Sequence, residues 1–272
     1  MLKQKYFLTG IFILSAERQP IKLAWRKIVW LQQLNSLNMS LIVTAYTQEG
    51  IVIGADSCIT TNFTQEGKEL YKHSHCGNKL FLLNKKIGIS TCGDAIINGI
   101  LLSSLIDQYI WSKKEENITL LQVEIDLKNI VNNQAKGKEY YVIFHICGYE
   151  NGKRYVSKFD NNDKESHIKD VSERDGCIYD GQVDIVDLFS QDVAYRGTDG
   201  LYYDINIERC RYNELSLQET IEYVYFLIST TIQHMRFTYK KDNVGFPIDI
   251  LVIMPNESLW LQKKELHIPG NY

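Results

Sequence analysis

Residues 39–57 read MSLIVTAYTQEGIVIGADS. Two segments rich in β-branched side chains, LIVTAYT and IVIGADS, meet at Gln48-Glu49-Gly50. A short polar turn between two such runs predicts a β-hairpin. Ser40 stands directly before the first arm, behind Met39. A serine at a free chain terminus would carry a hydroxyl and an amine, a nucleophile and a base on one residue. As an internal residue it carries the hydroxyl alone.

Working outward, KLFLL and IGISTC form a second strand pair around Asn84-Lys85-Lys86. Asp94 then precedes the apolar run AIINGILLSSLIDQYIW, where it is expected to cap a helix N-terminus. A second helix is expected over residues 120–133. YYVIFHICGY and KRYVSKF flank Glu150-Asn151-Gly152, and Asn-Gly is the strongest short hairpin signal. The polar stretch 161–176 is expected to be a loop. Ser216 and Glu219 form a capping box before IEYVYFLISTTIQHMRF, and FPIDILVIMP closes the pattern as a buried strand. Strands gathered into hairpins, with helices gathered between them, predict an α+β fold of antiparallel sheets covered by helices.

A chain of 272 residues with 44% hydrophobic content can bury a sizeable core. The formal charge of −3 and pI near 6.1 give no reason to expect nucleic acid or an anionic membrane as partner. The six cysteines stand singly, with no CxxC pair, as expected of reduced thiols in a cytoplasmic protein. No stretch reaches the roughly 18 apolar residues of a membrane-spanning helix. The start, MLKQK before YFLTGIFILSA, outlines a signal peptide, but Ala16 leads into Glu-Arg-Gln-Pro without a small-x-small cleavage pattern. Residues 1–39 form a basic extension, with six Lys and Arg side chains against Glu17 alone, and residues 21–37 could coil into a basic amphipathic helix. This extension reads as a propeptide, an appendage or translated upstream sequence, and residues 40–272 as the folded domain.

GIVIGADS followed by KLFLLNKKIGISTCGD resembles the N-terminal half of proteasome β-type subunits and their bacterial relatives. In that family a strand leads from the terminal nucleophile to a GVVxAADS-like strand. A lysine then opens a short apolar segment, and the next strand ends in a glycine turn. The resemblance spans most of residues 40–255. It is dense from 41 to 94 and recognisable at YDGQVDIV and at TTIQHMRF…VGFPIDILVI. It implies the N-terminal nucleophile (Ntn) hydrolase fold, a four-layer αββα sandwich of two antiparallel sheets. It also implies self-assembly into a ring or stacked rings and a peptide or amide substrate, and it leaves an ATPase partner open. No cofactor or metal is implied.

Counting back from Asp56 over the family's spacing puts the nucleophile on Ser40 without a gap, although most β-type subunits use threonine there. Asp56 matches the acid that holds the catalytic lysine, Lys79 matches that lysine, and Gly93 matches the glycine whose N–H stabilises the oxyanion. The family's later serine-glycine turn falls at Tyr179-Asp180-Gly181-Gln182, which lacks the serine. Asp242 is the candidate for its later aspartate. Methionine before the nucleophile is a further departure, since family propeptides usually end in glycine.

The chemistry is coherent in its own terms. A serine hydroxyl needs a base, and an α-amine with an ordinary pKa near 7.7–8.0 can serve at neutral pH. A nearby lysine charge favours the neutral amine. A glycine N–H at a turn can reach a tetrahedral oxyanion. The implied reaction is amide hydrolysis through an acyl-enzyme. Two other readings share the fold: a non-catalytic, ring-forming subunit that keeps its extension, and an amidase for a small acylated molecule.

Other residues carry weaker signals. His73-Ser74-His75-Cys76 crowds three N/S ligands without a distant fourth, so a polar loop is the better reading. Cys92, beside the oxyanion turn, is expected to be a buried thiol. Residues 195–200 (YRGTDG) lack phosphate-loop spacing and read as a turn. His234, Met235, Trp25, Trp30 and Trp111 are expected to pack helices.

Overall fold

The computed structural model describes residues 12–13, 40–65, 68–114, 116–238 and 243–264. The extension with its expected helix, Trp25 and Trp30, and also Asp242, lie outside the described residues, apart from a two-residue strand at Phe12–Ile13. The protein is α+β, with two five-stranded antiparallel sheets and four α-helices among the described residues.

In chain order the sheet strands are β1 (Leu41–Thr47), β2 (Gly50–Ala55), β3 (Leu80–Leu83), β4 (Ile87–Gly93), β5 (Val142–Glu150), β6 (Lys153–Asp160), β7 (Lys169–Asp170), β8 (Gly176–Gly181), β9 (Asp249–Ile253) and β10 (Ser258–Gln262). The helices are α1 (Leu102–Ser112), α2 (Leu120–Ala135), α3 (Asp184–Ser190) and α4 (Leu217–Met235). One sheet runs β8-β1-β2-β9-β10 and the other β7-β6-β5-β4-β3.

Three cores show how these elements stack. Because successive strand side chains point to opposite faces, β1 divides its residues cleanly. Leu41, Val43 and Ala45 pack with Val224, Leu227, Ile228 and Ile232 of α4, while Ile42 faces the other sheet. On β9, Ile250 and Val252 face α4, and Leu251 and Ile253 face the opposing sheet. The second sheet repeats the scheme: Val142, Phe144 and Ile146 of β5 pack on Leu102 and Ile106 of α1 and on Val123 and Leu127 of α2. Strands buried on both faces read as unbroken apolar runs, which is why LIVTAYT and DILVI show so little alternation. Helix α4 buries Val224, Leu227, Ile228, Thr231, Ile232 and Met235, the 3-4 spacing of a single face, and its capping box at Ser216 and Glu219 is formed.

The turns follow the sequence chemistry. Asn151 and Gly152 both take positive φ (50° and 75°), as a two-residue hairpin turn requires. Asn84 and Lys85 do the same, and the Asn84 amide donates to the Lys113 and Glu116 carbonyls beyond the end of α1.

Several expectations are corrected. Asp94 does not cap a helix: a tight hairpin, Ile96–Ile97 with Ile100–Leu101, intervenes, and α1 starts only at Leu102. The Asn98-Gly99 turn (φ 46° and 83°) breaks the apolar run that looked helical throughout. A hairpin of Ile59–Gln65 and Lys68–Ser74 lies between β2 and β3, in a stretch too polar to register as strand. The YRGTDG turn joins a further hairpin, Val193–Arg196 with Tyr202–Ile205, whose first strand also pairs with Phe12–Ile13. The chain does not close on FPIDILVIMP, because β10 adds an outer strand. Trp111 is 81% exposed and does not pack, and His234 is exposed while its neighbour Met235 is buried.

Candidate functional site

The site is built where β1 and β2 end side by side. Asp56 follows the last residue of β2, across from Leu41 at the start of β1, and is fully buried. Its carboxylate accepts four hydrogen bonds. Oδ1 takes the Leu41 N–H (2.9 Å) and the Lys79 ammonium (2.7 Å); Oδ2 takes the Cys58 N–H (2.8 Å) and the Gly245 N–H (3.0 Å). Lys79 precedes β3, is almost wholly buried, and also donates to the Cys58 carbonyl. A buried ion pair is costly unless further hydrogen bonds support it, and here the carboxylate takes three backbone N–H groups and the ammonium a backbone carbonyl besides the pair itself.

Gly93 ends β4 with φ +103°, and a β-carbon on it would stand 2.3 Å from the Tyr141 carbonyl oxygen. Only glycine fits there. The turn is locked next door, where the Asp94 N–H donates to the Tyr141 carbonyl (2.9 Å) and the Asp94 carboxylate accepts the Tyr141 N–H (2.8 Å). This reciprocal pair is what Asp94 does in place of capping.

Ser40 is buried at the head of β1, and the Gln182 N–H donates to its carbonyl at 2.7 Å. Gly181 allows that approach. It takes φ +100°, and a β-carbon there would lie 2.0 Å from the Ser40 carbonyl oxygen. Ser40, Lys79 and Gly93 line one pocket with Ile59, Thr91 and Cys92, and Asp56 sits behind Lys79. The structure therefore brings four of the five sequence-predicted residues together. Asp242 lies outside the described residues.

Cys92 is buried, and burial pushes its thiol well above the ordinary value, with Asp180 adding to the shift against Lys79 and Lys158. A thiol held neutral in this way is a poor nucleophile. The His73–Cys76 stretch ends the inserted hairpin, and among the described residues no three His, Cys, Asp or Glu side chains group as metal ligands would.

Sequence reasoning missed a second buried polar group next to the pocket. His145 on β5 bonds Thr44 of β1 through Nδ1 (3.1 Å) and Asp180 of β8 through Nε2 (2.8 Å); Lys158 reaches the same Asp180 oxygen at 2.7 Å. His145 lies within YYVIFHICGY, where one imidazole in an apolar strand gives no signal of partners on two other strands. No protein-family model matches the chain, and no curated protein sequence matches it.

Proposed function

We propose that the chain is an Ntn hydrolase of proteasome β-type architecture, cleaving peptide or amide bonds with Ser40 as the terminal nucleophile. The observation that carries this reading is the convergence of Ser40, Lys79 and Gly93 on one pocket, with Asp56 clamping Lys79 from behind. The layering of helices on both outer faces of a two-sheet stack supports the same reading.

Release of the Met39–Ser40 bond, by methionine removal from a chain begun at Met39 or by cleavage of a longer one, frees the Ser40 amine. The Ser40 hydroxyl then attacks the substrate carbonyl carbon while its own amine takes the proton. The Gly93 N–H faces the developing oxyanion, and the Lys79 charge favours the neutral amine. Collapse of the tetrahedral species breaks the C–N bond, the amine passes its proton to the leaving nitrogen, and an ester on Ser40 remains. Water attacks that ester by the same route, releasing the acid. Within this reading the protein acts as part of a ring of identical subunits.

The test uses the chain expressed from Met39 and, beside it, the full chain. Intact mass should show Ser40 as the first residue of the active protein, and Ser40→Ala should abolish turnover of small peptide amides while unfolding like the parent. Unchanged turnover in Ser40→Ala, or full activity in protein that retains residues 1–39, sinks the proposal. Retained residues together with ring assembly and no turnover would favour the non-catalytic subunit.

A further inference from the structure

A seam of polar side chains crosses the largely apolar space between the sheets. From β5, His145 points away from the α1–α2 side, since its neighbours Phe144 and Ile146 pack on those helices. In register with it stand Ser90 of β4 and Lys158 of β6. Across the gap it meets Thr44 of β1 and Asp180 of β8. Cys92, two residues along β4 from Ser90, lines the pocket and feels the charges of Asp180, Lys158, Asp56 and Lys79. The thiol is therefore within electrostatic reach of two charge groups, one at the nucleophile and one at the imidazole.

The proton on His145 is assignable. A carboxylate can only accept, so Nε2 carries the hydrogen, and a neutral ring then accepts the Thr44 hydroxyl at Nδ1. Burial lowers the imidazole pKa, against the raising effect of its Asp180 hydrogen bond, so the neutral form is the one that fits. The titratable groups acting on it are Asp180 and Lys158. Burial by itself would raise the Asp180 carboxyl, yet the His145 hydrogen bond and the Lys158 charge bring it below the usual value. The result is an anchored carboxylate at the last position before Gly181 and Gln182, the pair that grips the Ser40 carbonyl.

We propose that His145 and Asp180 are positioning residues for the nucleophile: the imidazole, oriented by Thr44, ties Asp180 to the opposite sheet and so fixes the Gly181-Gln182 turn on which Ser40 rests. The inference rests on reading Ser40 as the nucleophile. Neither residue touches the reacting atoms. Their effect passes through the backbone, from β5 across the gap to β8 and from Gln182 to Ser40.

The experiment compares the parent with His145→Leu, His145→Gln and Asp180→Leu. It reads kcat and KM on a small peptide amide together with hydrogen exchange at the Gln182 amide. His145→Leu should lower kcat about 10- to 100-fold with KM unchanged, the scale on which small misplacements act. It should also speed exchange at Gln182 and leave the amides of α4 protected. His145→Gln places an amide N–H near the lost Nε2 donor and should restore most of the rate. Asp180→Leu, which removes the acceptor at similar size, should behave like His145→Leu and covers the case in which the His145 variant fails to fold. Parent-like kcat in both His145→Leu and Asp180→Leu overturns the positioning role, whatever the exchange shows. A parent chain that hydrolyses no amide overturns the nucleophile reading itself, a different outcome from the first.

Discussion

Four donors converge on the Asp56 carboxylate, and three of them are backbone N–H groups from separate parts of the chain: β1, the turn after β2, and the segment before β9. This one side chain fixes the start of the strand that carries Ser40 and, through Lys79, the cation in the pocket. Asp56→Asn would turn one acceptor oxygen into a donor aimed at other donors and leave the ammonium without its counter-charge. We expect the variant to lose about 3–5 kcal/mol in urea unfolding, the usual cost of breaking a buried pair from one side. Lys79→Met removes the charge as well and should cost less than Asp56→Asn. The reverse order would mean that the ion pair does not govern this corner.

At the scale of elements, two local devices set the geometry that the site needs. The β8 turn depends on Gly181, whose positive φ and close approach to Ser40 leave no room for a side chain. Gly181→Ala should destabilise by more than about 1 kcal/mol, since alanine is strained at that φ. It should also shift the chemical shifts of Ser40 and Leu41 in an NMR spectrum before it affects α4. Helix α4, which covers β1 and β2, starts from a complete capping box in which Ser216 and Glu219 satisfy each other's backbone N–H. Ser216→Ala should cost about 1 kcal/mol in chemical denaturation and leave turnover alone. Among the described elements, those the sequence hid are short hairpins, edge strands and the seven-residue helix α3. Their residues are too polar, or their runs too short, to show a period, whereas α4 and β9 announce themselves by the faces they bury.

For the whole molecule, the seam between the sheets makes stability depend on pH. His145 is buried and neutral, with its pKa lowered from the ordinary 6.5 mainly by burial. The unfolded chain therefore binds a proton that the folded chain refuses, so stability is fully present above the ordinary value and falls as the pH drops below it. Asp180 acts in the same direction lower in pH, because its pKa too lies below the unfolded value. Between pH 7.5 and 5.5 the parent should lose up to about 1.4 kcal/mol through this one imidazole, one pH unit of single-proton linkage. His145→Gln should flatten the urea midpoint over that range. An equal pH slope in both proteins would assign the dependence elsewhere. No helix among the described residues is long and apolar enough to cross a membrane.

What the sequence determined by itself is whatever is encoded locally or by a fixed count of residues. The β1–β2 hairpin, the Asn151-Gly152 turn and the capping box of α4 depend on neighbours a few positions apart, and all three form. The spacing from Ser40 to Asp56 also belongs here, because hairpin geometry turns that separation into adjacency across two strands. The pocket needed the tertiary structure. Lys79 and Asp56 are separated in sequence by an inserted hairpin, and Gly93 shares a pocket with Ser40 only because the second sheet packs across the first. The contact of His145 with Asp180 joins strands 35 residues apart on opposing sheets. Side-chain periodicity reports which face of a strand is buried, but not which residue of another sheet will lie against it, and that is decided by how the two sheets pack.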